Sequence, residues 1–392
     1  MMNVGLRTRE RDEMKLGNGN LKLRTGTPGL GLSAKKGSAL MLGMACLLSA
    51  GSVRAQAAAD SLVTQLGGRL EVLWDMDRIA SLDNARLTLH SPKLREVAIV
   101  HDAPWEGNVS CYHTVFKDGD LYRMYYRGAS YGVGVAHPEF TCYAESDDGV
   151  VWRKPNLGLI EFRGSTSNNI ILSGYGTHNF APFRDGNPAC PADQRYKALG
   201  GIEKGLVPFV SPDGIRWRKL QDAPVITKGA FDSQNIAFWD AEKNMYVDYH
   251  RHGIKGVRAI MTCTSKDFIS WTEPQWLSYG EETSEEHLYT NAIQPYPRAP
   301  WIYIGFPKRF IPDRTTAYDK SGGGGVPGLS DGVFMSSRDG KFFKRWGEAF
   351  LRPGLQTERW VNRNNMTAWG LVETEPEFPG TPHEYSLYST EN

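Results

Sequence analysis

The sequence has no excess of either charge: 45 Lys and Arg stand against 44 Asp and Glu over 392 residues. A nucleic-acid-binding chain carries a basic excess or a basic stripe, and neither occurs here. No apolar run reaches the roughly 18 residues that a membrane-spanning helix needs, so a helical membrane span is excluded. Cysteine is scarce, five in all, and Cys111, Cys142, Cys190 and Cys263 lie too far apart for a zinc spacing such as C-x-x-C. Helical periodicity is missing as well. What the chain has instead is turns and rings: 42 Gly, 22 Pro, 17 Tyr, 16 Phe and 11 Trp. That balance predicts many short strands joined by tight turns.

The first sixty residues read as a targeting segment. Residues 1–37 are polar and basic, followed by an apolar run from Ala39 to Ala50 and a small-x-small ending at Val53-Arg54-Ala55. This is a basic region, a hydrophobic region too short to span, and a cleavage site after Ala55. A start at Met14 would shorten the basic region to the usual length. The mature chain is therefore expected to be secreted or periplasmic, with the folded domain in residues 61–392. Export makes the four remaining cysteines disulfide candidates in any of three pairings, with buried free thiols equally open.

A repeat runs through the rest. Ser146-Asp147-Asp148-Gly149, Ser211-Pro212-Asp213-Gly214, Ser265-Lys266-Asp267-Phe268 and Ser337-Arg338-Asp339-Gly340 are each followed by a Trp, at spacings of 65, 54 and 72 residues. Ser-x-Asp-Gly is turn chemistry, because Asp caps nearby amides and Gly accepts positive φ. Aromatic alternating runs interleave with the turns: Leu121–Arg127, Arg195–Gly201, Met245–Arg251 and Trp301–Pro307. Each unit reads as inner strand, turn, aromatic strand, then Ser-x-Asp-Gly hairpin. The expected fold is all-β, a five-bladed β-propeller, with a last unit in residues 360–391 and an early strand near Leu70–Trp74 or Ala98–His101 closing the ring. A β-sandwich or β-helix does not repeat such a hairpin at these intervals. Residues 319–332 are expected to form a glycine-rich surface loop.

In such a fold the starts of the inner strands converge on one funnel, and an acidic residue stands at that position in every unit. Glu106, Asp185 and Asp232 are the candidate catalytic carboxylates, the kit of base or nucleophile, charge stabiliser and acid that cleaves a glycosidic bond. Trp105, Asn108, His178, Arg184, Gln234, Asn235, Glu286, His287 and Arg363 are the candidate substrate contacts beside them. Each has a structural alternative: Asp185 and Asp232 suit Asx turns, the histidines suit buried hydrogen bonds, and the tryptophans suit packing between blades.

The sequence resembles the five-bladed propeller glycosidases of glycoside hydrolase families 32, 43, 62 and 68, most closely a family-32-like group of environmental bacteria. The likeness spans roughly residues 95–392. Phe183-Arg184-Asp185 is similar to the Arg-Asp-Pro motif of the β-fructosidases, with Gly186 where Pro would stand. Trp105-Glu106-Gly107-Asn108 occupies the place of their Asn-Asp-Pro-Asn-Gly motif, and Phe231-Asp232-Ser233 that of their Glu-Cys motif. The resemblance implies Glu106 as nucleophile or base, Asp185 as transition-state stabiliser held ionised by Arg184, and Asp232 as general acid. It implies a carbohydrate substrate of furanoside type and no cofactor. Some family-43 relatives hold Ca²⁺ in the channel; no D-x-D-x-D-G run supports one here. The C-terminal β-sandwich of family 32 has no counterpart in residues 61–392. The competing reading is a catalytically silent propeller that binds carbohydrate or protein.

Overall fold

The computed structural model describes residues 3–10, 21–23, 67–131, 136–280, 283–314, 328–356, 359–360 and 364–391. The expected signal run and Arg363 lie outside the described residues. Two compact units are present, residues 1–12 with 89–392, and residues 13–88. The second holds a short strand pair, Leu21–Leu23 with Ile79–Leu82. Every site described below belongs to the first.

Among the described residues there is no α-helix, only a 3-10 turn at Ala192–Gln194, and almost everything else ordered is antiparallel sheet. In chain order the strands are β1 (Asn3–Glu10), β2 (Leu21–Leu23), β3 (Ile79–Leu82), β4 (Lys93–His101), β5 (Cys111–Asp118), β6 (Leu121–Ser130), β7 (His137–Ser146) and β8 (Ile170–Ser173). They continue as β9 (Phe183–Arg184), β10 (Tyr196–Gly200), β11 (Val207–Ser211), β12 (Arg218–Lys219), β13 (Ile236–Asp240), β14 (Met245–Ile254), β15 (Val257–Ser265) and β16 (Gln275–Trp276). Then follow β17 (His287–Leu288), β18 (Gln294–Tyr296), β19 (Ala299–Gly305), β20 (Lys308–Ile311), β21 (Leu329–Gly332), β22 (Met335–Ser337), β23 (Lys344–Arg345), β24 (Met366–Thr367), β25 (Val372–Thr374) and β26 (Glu384–Glu391).

The strands assemble into four four-stranded sheets, β5-β6-β7-β8, β9 to β12, β13 to β16 and β18-β19-β22-β23, and a fifth sheet ordered β24-β26-β1-β4 with β25 on β26. A separate three-stranded sheet is ordered β17-β20-β21. Two expectations change. Asn3–Glu10 is a strand between β26 and β4, so the compact units do not divide at residue 60. The glycine-rich stretch ends in a buried strand, because Leu329–Gly332 pairs with β20. The four cysteines are free thiols, with Cys142 and Cys263 buried.

The repeated hairpin does what its chemistry predicts. Ser146 Oγ accepts from Gly149 N at 2.9 Å, and Asp148 Oδ1 accepts from the amides of Val150 and Val151. The same bonds recur around Asp213, Asp267 and Asp339. The fourth residue of each turn lies in the left-handed region, including Phe268 at φ 66°. Phe268 stands where the other turns have glycine, and its completely buried ring packs against Phe183, Tyr246 and Trp271, contacts that offset the backbone cost.

Each glycine hairpin docks on a tyrosine of the preceding sheet. Tyr388 and Tyr249 donate to the carbonyls of Gly149 and Gly340, and a Cβ on Gly214 would meet Tyr125 Oη at 2.7 Å. At the other edge, inner-strand ends meet the next sheet. Asp118 accepts from Tyr196, Asp185 from Tyr246 at 2.7 Å and Asp240 from Tyr303; Tyr296 packs edge-on to Tyr385, and Tyr122 donates to Glu373 O at 2.7 Å. These contacts join the first sheet to the second and onward to the fifth, then the fifth back to the first.

Docking can be separated from backbone strain by comparing Gly340 with Gly380. Both have φ near +80°, yet a Cβ at Gly340 would meet Tyr249 Oη at 2.8 Å and one at Gly380 would meet nothing within 4 Å. Both alanine variants should lose roughly 1 kcal/mol or more from the positive φ. Gly340→Ala should lose clearly more than Gly380→Ala in urea unfolding, and equal losses would show that hairpin docking contributes nothing.

Candidate functional site

The three carboxylates expected to converge are held in separate places. No hydrogen bond or ion pair joins any two of their side chains among the described residues. Glu106 is fully buried, and both its oxygens are occupied. Oε1 accepts from Tyr126 Oη (2.6 Å) and His101 Nδ1 (3.2 Å), while Oε2 accepts from Ala103 N (2.8 Å) and Lys154 Nζ (2.7 Å). Burial alone would raise its pKa; the bonds from His101, Lys154 and Tyr126 outweigh it and bring the value down to about 2. His101 in turn shares a proton with His113, nitrogen to nitrogen at 2.8 Å. This network ties β4, β5 and β6 together and leaves Glu106 no free lone pair for a substrate.

Asp185 sits at the latched end of its strand. Oδ2 accepts from Lys197 Nζ (2.5 Å) and Tyr246 Oη, and Oδ1 accepts from Asn187 N (2.8 Å), an Asx turn. Its cation is Lys197, not Arg184. Successive strand residues face opposite ways, so Arg184 turns to Asp118 at 3.1 Å. The alignment of Asp185 with its counterparts is with Asp118 and Asp240, the other inner-strand ends that hold a tyrosine.

Asp232 is different. Its side chain is 49% exposed and pairs with Arg251. Its own carbonyl accepts from Asn179 Nδ2 (3.0 Å) and Tyr289 Oη (3.1 Å). From there a connected rim can be followed. Arg127 Nη1 donates to Asn179 Oδ1 (3.0 Å) and lies 3.5 Å from Glu139; Glu139 also accepts from His178 Nδ1 (2.7 Å) and from Tyr131. Tyr112 Oη donates to Tyr289 Oη (3.2 Å), and Arg127 lies over the Tyr112 ring.

Antiparallel topology explains the gathering. Starts of inner strands (Tyr112, Asn179, Asp232), ends of second strands (Arg127, Arg251) and starts of third strands (Glu139, Arg258) fall at one end of their sheets. Tyr112 and Asn179 both adopt left-handed backbone, at φ 60° and 56°, and β5 carries a register shift there. Non-glycine residues in that region mark places where packing overrides local preference. Glu139 is held below the usual carboxylate range: burial opposes ionisation, but the His178 bond and the charges of His178 and Arg127 prevail.

The remaining sequence-derived contacts sort clearly. His178 belongs to the rim. Asn108 exchanges two hydrogen bonds with the backbone of Tyr131 and braces it. Gln234 is buried and donates to the carbonyls of Tyr112 and His113, Asn235 bonds its own loop, and Trp105 donates to Asn169. Glu286 pairs with Arg309 and Arg345, and His287 accepts from Arg258. Arg127, Glu139, Arg251, Arg258, Tyr289 and Lys308 were not anticipated. A signal for two of them existed: Arg127 and Arg251 both close an aromatic run, in LYRMYYR and MYVDYHR.

One buried trio has metal-ligand chemistry. The donor atoms of Asp248, His250 and Cys263 lie within 4.8 Å of one another. They bond among themselves, His250 Nε2 reaches Lys228 O at 3.0 Å, and burial beside Asp248 pushes the Cys263 thiol up, so it keeps its proton.

Two expectations follow. Asp185→Asn should cost about 3–5 kcal/mol in unfolding free energy, because it leaves Lys197 buried without its counter-ion; an unchanged urea midpoint would overturn the structural assignment. Glu106 has a folded pKa below its unfolded one, so its contribution is present above about pH 4.5 and disappears as pH falls toward 2. That contribution is of order 3 kcal/mol. Glu106→Gln should flatten the acid limb of the stability–pH curve, and an unaltered limb would contradict the network.

No family model matches this sequence, and no curated protein matches it. Solved structures to which it is similar include a glycoside hydrolase (16% identity, TM-score 0.46, covering 72% of this chain and 87% of that one) and a glycosyl hydrolase from Bacteroides ovatus (14%, 0.41, 72% and 84%). A third is a fructofuranosidase from Schwanniomyces occidentalis complexed with fructosylnystose (14%, 0.43, 74% and 57%). These three neighbours are glycoside hydrolases, at a distance too great for any to assign a residue here.

Proposed function

We propose that the chain is a glycoside hydrolase built as a five-bladed β-propeller, the five sheets being the blades. The observation that carries the reading is the rim itself. Two partly exposed carboxylates, Asp232 and Glu139, are linked through Asn179 and Arg127 beside a tyrosine pair, at the end of the sheets where inner strands begin. Cyclic contacts from the first sheet to the fifth and back support the propeller reading.

Glu139, kept ionised by His178 and Arg127, suits the base or nucleophile. Asp232 suits the proton donor once a substrate displaces it from Arg251, because loss of that cation favours the protonated form. The ring faces of Tyr289 and Tyr131 suit sugar stacking. Export is part of this proposal and rests on the basic, apolar, small-x-small pattern of residues 1–55; cleavage after Ala55 removes β1 from between β26 and β4, and N-terminal sequencing of secreted protein should begin at Gln56.

The decisive experiment is turnover of nitrophenyl furanosides and pyranosides and of plant or algal oligosaccharides. Asp232→Asn and Glu139→Gln should each lower kcat by about 100-fold or more with little change in melting temperature. Glycan binding without turnover would replace the hydrolase with a carbohydrate-binding propeller. Full activity in both variants would remove these two residues from the mechanism.

A further inference from the structure

Among the described residues the rim has three arginines and two carboxylates paired with them, and two of the arginines share one ring. The Arg251 guanidinium lies 5.1 Å from the Tyr289 centroid, that of Arg258 5.5 Å, and Lys308 Nζ 4.9 Å. Arg127 stands over the adjoining Tyr112 at 4.8 Å. Of the three arginines, Arg251 pairs with Asp232 and Arg127 with Glu139, and Arg258 is the one left without an ion pair among the described residues. Neighbouring pairs add nothing to the balance: Arg309 and Arg345 are matched by Glu286 and Asp331, and Arg359 by Glu391.

Arg258 forms no ion pair among the described residues. One of its nitrogens donates to His287 Nδ1 at 3.3 Å, so that ring nitrogen is the unprotonated one. Asp313 also acts on His287, and among the described residues it forms no ion pair with Arg258. The buried Nε atoms of Arg127 and Arg251 have no hydrogen-bond partner. Burial and the nearby charge of Arg258 hold Arg251 below the usual guanidinium range. Like charges gathered at one ring repel, and a half-buried guanidinium without a carboxylate keeps unspent donors in a fork that fits planar or tetrahedral anions.

We propose that the rim binds the anionic substituent of an acidic sugar, a carboxylate or a sulfate, between Arg251 and Arg258 over the face of Tyr289. The inference rests on the hydrolase reading for the saccharide nature of the ligand and adds its chemical class. A neutral sugar would stack on Tyr289 but leave the charge of Arg258 uncompensated. An acidic sugar fills both needs, the ring taking the apolar face of the pyranose or furanose and the guanidinium forks taking the anion.

The test is binding of the full chain to an array of uronate-containing and sulfated plant and algal oligosaccharides, each beside its carboxyl-reduced or desulfated counterpart. Acidic members should bind at least tenfold more tightly than their neutral counterparts at low salt, with the gap narrowing as ionic strength rises. The two arms identify which anion is taken. Arg258→Gln should reduce the preference to within about threefold, and Arg258→Lys should retain part of it, since the charge remains while the fork is lost. Equal binding of acidic and neutral members, no binding of any member, or a preference unchanged in Arg258→Gln would overturn the proposal. Turnover of neutral glycosides without acidic preference would leave the hydrolase reading standing alone. Arg258-dependent binding of acidic glycans without turnover would do the opposite.

Discussion

Five junctions between sheets hold this structure in register, and three of them are a carboxylate receiving a tyrosine hydroxyl from the next sheet. Asp118, Asp185 and Asp240 terminate inner strands, where unpaired carbonyls and a tight turn would otherwise face water or a neighbour's edge. A sheet with two apolar faces is unstable alone, so each must be covered by the sheets beside it. The tyrosines do both tasks at once. Their rings fill the space between sheets, and their hydroxyls satisfy the buried carboxylates that would otherwise be costly. The Asp-capped glycine hairpins complete the opposite edge by docking on Tyr388, Tyr125 and Tyr249.

That arrangement divides the molecule's polar groups by task. At the turn end the buried carboxylates are spent on the fold, as Lys197, Tyr246 and Asn187 spend Asp185. At the other end the inner strands begin in irregular backbone, and Tyr112 and Asn179 hold conformations that a regular strand would not allow. Groups there are partnered incompletely: Asp232 is half exposed, and Arg251 and Arg127 retain unused donors. Stability resides at one end and chemical potential at the other, a separation that lets rim side chains vary without disturbing the junctions.

The repeat, the all-β class and the aromatic strands were legible because they rest on local rules: Asp and Gly in turns, alternation in strands. The site was only partly legible. An acid before each aromatic run is a one-dimensional regularity, and it cannot tell the start of an inner strand from its end. Asp185 lies after β9 and Asp232 before β13, so two residues that look equivalent in spacing point to opposite ends of their sheets. Glu106 misled for another reason. Its partners His101, Tyr126 and Lys154 come from three separate segments, and no local pattern reveals that they all turn inward. His178 and Asp232, which the proposed site retains, stand next to strand starts that the turns had bracketed.

The cations were the harder loss, and the reason is physical. A net charge of +1 over the chain conceals any local imbalance, because a formal sum carries no positions. Arg127 and Arg251 end strands whose aromatic character drew attention to packing, and Arg258 starts the strand after a hairpin, where a basic residue ordinarily faces solvent. Only the antiparallel pairing of β14 with β15, which sets Gly253 opposite Arg258, returns the chain so that Arg251 and Arg258 share one ring. The field at the rim is therefore a property of register: slip that hairpin by one residue and Arg258 moves to the other face, leaving Tyr289 with a single arginine.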